Sequence, residues 1–178
     1  MWDDSIINKT LFFAINAHGN QKMKYPENMP YCDHLFGVLL TAINHVDDKN
    51  LNWTLLAQTA LLHDTLEDTK VKYNDLKEEF GEDVASGVLA LTKDKSLPKE
   101  SQIPDCIYRI KLQPKEIAIV KLADRCFNIR GKVPVWTKEK QLKYIIEAQL
   151  ICDSLGYSSS KLRNKLQSNI NNLKKLRT

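Results

Sequence analysis

No stretch of this 178-residue chain stays apolar for the about 18 residues a membrane-spanning helix needs, so no membrane partner is expected. The opening Met1-Trp2-Asp3-Asp4-Ser5 is acidic and polar, unlike the basic-then-apolar layout of a secretory signal. Cysteine is scarce: Cys32, Cys106, Cys126 and Cys152 are widely spread and form no Cys-x-x-Cys. That pattern suggests neither a zinc ribbon nor a disulfide framework, and it fits reduced thiols in a cytoplasmic protein. Internal repeats, low-complexity linkers and period-two alternation are also missing, so neither a solenoid nor a half-buried sheet is expected.

Hydrophobic residues make up 43% and charged residues 27%, an ordinary balance for a domain with a sizeable core. The net charge is +4, but it is uneven. Residues 161–178 carry Lys161, Arg163, Lys165, Lys174, Lys175 and Arg177 with no acid, and the rest of the chain is left at −2. This is the pattern of a final helix with a solvated basic face, and a nucleic-acid partner is not expected. Nothing in the sequence sets an oligomeric state.

Short turn signals at Gly19-Asn20, Pro26-Glu27-Asn28, Asp47-Asp48-Lys49-Asn50 and Gly156-Tyr157-Ser158 separate segments of helical spacing. Residues 5–17, 52–69, 114–130, 138–155 and 161–176 read as helices, the last from Leu162, Leu166, Ile170, Leu173 and Leu176. Another helix is expected to start near His34. A long, poorly ordered loop is expected around residues 92–104. The prediction is one all-α domain, a helical bundle over 1–178, with a core about 5–156 and a basic C-terminal helix about 161–176.

Chemistry enters where the apolar pattern breaks. In Ala60-Leu61-Leu62-His63-Asp64-Thr65-Leu66-Glu67-Asp68-Thr69, four ionisable groups follow an apolar run. On a continuous helix, His63 and Glu67, like Asp64 and Asp68, would share one broad face. Three carboxylates and an imidazole held together call for a counter-charge, which a divalent cation supplies. Asp124 interrupts a second apolar helix in Lys121-Leu122-Ala123-Asp124-Arg125, with Asn128 one turn on. His34 precedes Leu35, Phe36, Val38, Leu39 and Leu40, which turns it inward. His34, His63, Asp64 and Asp124 would make a mixed nitrogen and oxygen ligand set with positions open for water or substrate. His18 and His45 have no such company and are expected on the surface or in loops.

These residues resemble the HD superfamily of metal-dependent phosphohydrolases, and more narrowly the hydrolase domain of RelA/SpoT-type enzymes and the small alarmone hydrolases. The segments are Ala17-His18-Gly19-Asn20-Gln21, Pro30-Tyr31-Cys32-Asp33-His34, Leu62-His63-Asp64-Thr65-Leu66-Glu67-Asp68-Thr69, Phe80-Gly81, Leu91-Thr92-Lys93-Asp94-Lys95 and Lys121-Leu122-Ala123-Asp124-Arg125 with Asn128. A bare His-Asp pair is weak evidence, but His-Asp-x-x-Glu-Asp followed by Lys-Leu-Ala-Asp-Arg at this distance is specific.

The resemblance implies an HD-domain helical fold and a manganese-dependent 3′-diphosphatase of guanosine tetra- and pentaphosphate that releases pyrophosphate. Another divalent metal would suit the same donors. The metal ligands would be His34, His63, Asp64 and Asp124, and Glu67 and Asp68 would activate or orient the attacking water. Lys24, Lys99, Asn128, Lys140 and Tyr144 would contact substrate. In one respect the chain departs from the family: Met23 stands where an arginine usually stacks on the guanine. Methionine packs against a purine but brings neither charge nor a planar cation. Gly131 and Pro134 also occupy a stretch where base contacts would be expected. Two alternatives follow: an HD hydrolase acting on NADPH or a nucleoside monophosphate, or a non-catalytic nucleotide-binding module.

Overall fold

Ten α-helices make up the regular structure of the described residues in the computed structural model, which cover 3–23, 28–46, 48, 50–130 and 136–175. Several positions read above lie outside them: Lys24, Pro26, Glu27, Asp47, Lys49, Gly131, Pro134, Leu176 and Arg177. The helices are α1 (Asp4–His18), α2 (Cys32–Asn44), α3 (Trp53–Leu62), α4 (Thr65–Asp68), α5 (Tyr73–Phe80), α6 (Glu82–Leu91), α7 (Lys99–Lys111), α8 (Lys115–Asn128), α9 (Lys138–Leu155) and α10 (Ser160–Lys175). The architecture is all-α, as expected. No described helix is long and apolar enough to cross a membrane.

The axis of the bundle is α8. Every residue from Glu116 to Phe127 is buried, including the charged Glu116, Lys121, Asp124 and Arg125. Six helices, α2, α3, α6, α7, α9 and α10, pack around it. A helix buried on all sides needs its polar groups paired. Accordingly, Glu116 Oε1 accepts the Asn52 N–H at 2.7 Å, and the Asn52 side chain caps α3 by accepting from Leu55 N at 3.0 Å.

The basic C-terminal helix belongs to this packing. Leu162, Leu166, Ile170 and Leu173 are buried, and Asn169 donates to the Cys126 carbonyl of α8 at 3.0 Å. Its lysines and Arg163 point outward. Each such leucine removed from water contributes about 1.5–3 kcal/mol.

Two expectations need correction. The segment 52–69 is not one helix, because α3 ends at Leu62 and α4 starts at Thr65. The His63 Nδ1 bonds the Ala60 carbonyl at 2.8 Å, and the Thr65 hydroxyl donates to the Leu62 carbonyl at 2.7 Å. Side chains that bond nearby backbone in this way offer the chain an alternative to the helical ladder. Nor is 92–104 a long loop, since α7 is already formed from Lys99. Pro104 withholds one N–H from that helix. Burial of Ile103, Cys106, Ile107 and Ile110 offsets the loss. The short link before it is ordered by Asp94, whose Oδ1 accepts from the Ser96 N–H at 2.9 Å and hydroxyl at 2.6 Å.

Candidate metal and phosphohydrolase site

Three parts of the chain converge beside α8. α2 presents His34 from its first turn, the α3–α4 break presents His63 and Asp64, and α8 presents Asp124. One ligand atom each from His34, His63 and Asp124 falls within 4.8 Å of the others. Asp64 lies outside that tightest triplet, yet its Oδ2 is 3.3 Å from His34 Nε2 and 3.1 Å from His63 Nε2. The two imidazole Nε2 atoms are 3.1 Å apart.

The break between α3 and α4 has a chemical use. On an unbroken helix, consecutive side chains diverge by about 100°, whereas here His63 and Asp64 turn to the same point. The Ala60 carbonyl can only accept, so a neutral His63 carries its proton on Nδ1 and turns a bare Nε2 lone pair into the cluster. That is the tautomer a metal ligand needs, held by a backbone partner on the far nitrogen.

The electrostatics also ask for a cation. Burial works against charge on His63, but Asp64 and Asp124 outweigh it and push its pKa up to about 9. Burial likewise opposes ionisation of Asp64, and the His63 and His34 rings hold its carboxyl well below the usual range. Asp124 is lowered against burial by Lys121, His63 and His34. The donor set therefore fits a divalent ion: two imidazoles and two ionised carboxylates, nearly closed to solvent.

Around this centre lies a layer that only partly matches the sequence reading. The Asn128 amide donates to Asp124 Oδ1 at 2.6 Å, and Lys121 Nζ is 3.9 Å from Asp124 Oδ2. Asn128 is thus placed to fix the orientation of the Asp124 carboxylate. Glu67 and Asp68 diverge. Glu67 Oε1 accepts from Lys93 Nζ at 2.8 Å, whereas Asp68 Oδ2 is 3.3 Å from the Tyr31 hydroxyl. That same hydroxyl donates to Asp64 Oδ2 at 2.5 Å. Partial burial and the nearby carboxylates of Asp64 and Glu67 raise the Asp68 pKa. Tyr144 lies against Trp136 with ring centroids 4.5 Å apart, and Lys140 Nζ stands 5.0 Å over the Trp136 ring. Arg125 stacks on the other partner, Tyr144, at 4.4 Å. Lys99 is exposed at the first position of α7.

His18 is not a surface histidine. It is 7% exposed, bonds Gln21 Oε1 through Nδ1 at 2.9 Å and stacks on Tyr31 with centroids 4.5 Å apart. It thus supports the tyrosine that touches Asp64. His45 follows α2 and bonds the Thr41 carbonyl through Nδ1 at 2.9 Å. The sequence reading gave no individual role to Tyr31, Lys93, Lys95, Arg125 or Trp136. All but Trp136 lie inside the motifs given above, but a contact between distant segments leaves no spacing signal in the chain.

No protein-family model matches the chain. A curated protein of Danio rerio, guanosine-3′,5′-bis(diphosphate) 3′-pyrophosphohydrolase MESH1, is 32% identical over 176 residues, spanning 92% of this chain and 91% of that one. The chain belongs to the MESH1 family. The Homo sapiens MESH1 is 30% identical over 159 residues, covering 87% of each chain. A solved structure, described as a metazoan ortholog of SpoT that hydrolyses ppGpp and plays a role in starvation responses, superposes with a TM-score of 0.80. It is 28% identical and covers 97% of both chains. The HD-domain fold expected from the motifs is thereby confirmed for this MESH1 relative.

Proposed function

We propose that this protein hydrolyses the 3′-diphosphate of guanosine tetra- and pentaphosphate, releasing pyrophosphate with GDP or GTP, and that it uses manganese held by His34, His63, Asp64 and Asp124. The observation that carries the reading is the convergence of those four side chains from α2, the α3–α4 break and α8, in a chain of the MESH1 family. A bound divalent ion supplies Lewis acidity toward a phosphoryl oxygen and makes a coordinated water more acidic. A mixed nitrogen and carboxylate shell favours a harder ion such as manganese.

The protein's own groups do the rest. Glu67 Oε1 takes the proton of the attacking water, and Asp68, within reach of the Tyr31 hydroxyl that also bonds Asp64, helps orient that water. Tyr31 and Asn128 hold Asp64 and Asp124 in place. Lys24, Lys99 and Lys140 serve as phosphate-binding cations, and Tyr144 with Trp136 offers an aromatic face to the nucleoside.

The test is incubation of manganese-loaded protein with guanosine tetraphosphate, following GDP and pyrophosphate, with NADPH and nucleoside monophosphates in parallel. Pyrophosphate release from the tetraphosphate is the expected result. Turnover of NADPH or a monophosphate alone would replace the substrate, and Met23 is the residue such a result would implicate. No turnover of any of them by folded, loaded protein would leave a binding module.

A further inference from the structure

The loop between α6 and α7 sends two lysines to one acidic residue. Lys93 Nζ bonds Glu67 Oε1 at 2.8 Å, and the Lys93 backbone N–H bonds Glu67 Oε2 at 3.3 Å. Lys95 Nζ donates to the Glu67 carbonyl at 3.0 Å. The three contacts are not equivalent. The backbone N–H and Lys95 anchor Glu67 by groups that do not depend on the Lys93 ammonium. The Lys93 side chain is 33% exposed and that of Glu67 16%, so a ligand in solvent can reach the ion pair from the lysine side.

Lys93 also lies within the electrostatic reach of Asp64, Asp124 and Tyr144. The Lys93 ammonium thus bears electrostatically on both the metal cluster and the aromatic face proposed for the nucleoside. A partly buried ammonium on a flexible four-carbon stem can exchange one acceptor for another. An incoming diphosphate brings several charged acceptor oxygens to the place where Glu67 offers one.

We propose that Lys93 is a further substrate-binding residue, which leaves Glu67 Oε1 for a phosphoryl oxygen of the substrate when the nucleotide binds. The exchange does two things at once. It neutralises charge on the diphosphate, and it frees Oε1 for the proton of the attacking water while Oε2 remains fixed by the Lys93 N–H. Resting Glu67 is masked, and substrate unmasks it. The inference rests on the hydrolase reading given above and adds a residue that reading does not contain.

The test removes Glu67 from the comparison. Glu67→Gln slows hydrolysis enough for equilibrium binding of intact guanosine tetraphosphate to be measured by calorimetry, with inorganic pyrophosphate as a second probe. In that background, Lys93→Met is expected to weaken binding of both probes by about tenfold or more, the scale of one charge-assisted hydrogen bond. Lys93→Arg is expected to recover most of it. In the otherwise native enzyme, Lys93→Met should raise KM as well as lower kcat. Equal affinity for both probes in Glu67→Gln and Glu67→Gln/Lys93→Met, with matching thermal unfolding, would reduce Lys93 to a structural partner of Glu67 and overturn the exchange while leaving the hydrolase reading intact. If Glu67→Gln binds pyrophosphate but no tetraphosphate, both readings fall. Should Lys93→Met fail to fold, Lys93→Gln carries the same comparison.

Discussion

His34 and His63 face each other through their Nε2 atoms at 3.1 Å, with the Asp64 carboxylate against both. Two bare lone pairs at that distance repel, so the pair needs a proton or a metal ion between the rings. Asp64→Ala removes a carboxylate that touches both. We expect it to abolish manganese binding, measured by calorimetry, and activity with it. Glu67→Gln should keep most of the manganese affinity while slowing hydrolysis by about 10²-fold or more. Equal manganese affinity in wild type and Asp64→Ala would sink the ligand assignment.

Proton and metal compete for that same space. The His63 pKa is raised from 6.5 to about 9, so below pH 9 the apoprotein holds a proton that metal must displace. Manganese affinity should therefore rise as pH increases toward 9, by about tenfold per unit for a single proton, and level off above it. The linkage sign for the apoprotein is the opposite. Stability contributed by the raised pKa is complete below 6.5 and is lost as pH climbs to about 9. Calorimetry in buffers of different ionisation enthalpy will count the proton released. A pH-independent affinity between 6.5 and 9 would contradict the charged cluster.

Asn128 holds Asp124 Oδ1 at 2.6 Å. Removing such a support beside a ligand costs about 10–100-fold in metal affinity. Asn128→Ala should show that loss in a manganese titration. A variant with unchanged manganese affinity and a higher KM would instead make Asn128 a substrate contact alone.

Gly37 marks how closely α2 lies against α8. A Cβ built there would come within 1.7 Å of the Phe127 ring, which itself packs against His34 at 5.3 Å between centroids. Gly37→Ala should destabilise the protein by about 1–3 kcal/mol and weaken manganese binding, because the displaced ring bears on a ligand. Chemical denaturation and a metal titration on the same variant will check both. Unchanged stability would mean that the α2–α8 contact is looser than the structure indicates.

Much of this was readable in the chain. Residues 5–17, 114–130, 138–155 and 161–176 read as helices because their apolar spacing is strong, and they appear as α1, α8, α9 and α10. α5 buries only Leu76, too little to leave an apolar stripe in the sequence. α7 was hidden by Pro98 and Pro104. Periodicity reports a helix only when its face is broad and its interior free of breakers.

The sequence by itself determined the helical class and pointed to the side chains of the candidate site, because burial pattern and residue chemistry are both local properties. Only the tertiary structure decided how those donors meet. The α3–α4 break, set by the His63 and Thr65 side chains bonding back to the backbone, turns His63 and Asp64 to a common point. Packing of α2 and α3 on α8 brings His34 and Asp124 to the same place. Glu67 goes to Lys93, Asp68 to Tyr31 and His18 to the back of that tyrosine, partners that chain spacing does not name. Such contacts join residues far apart in the chain, and their energies exist only once the helices have packed.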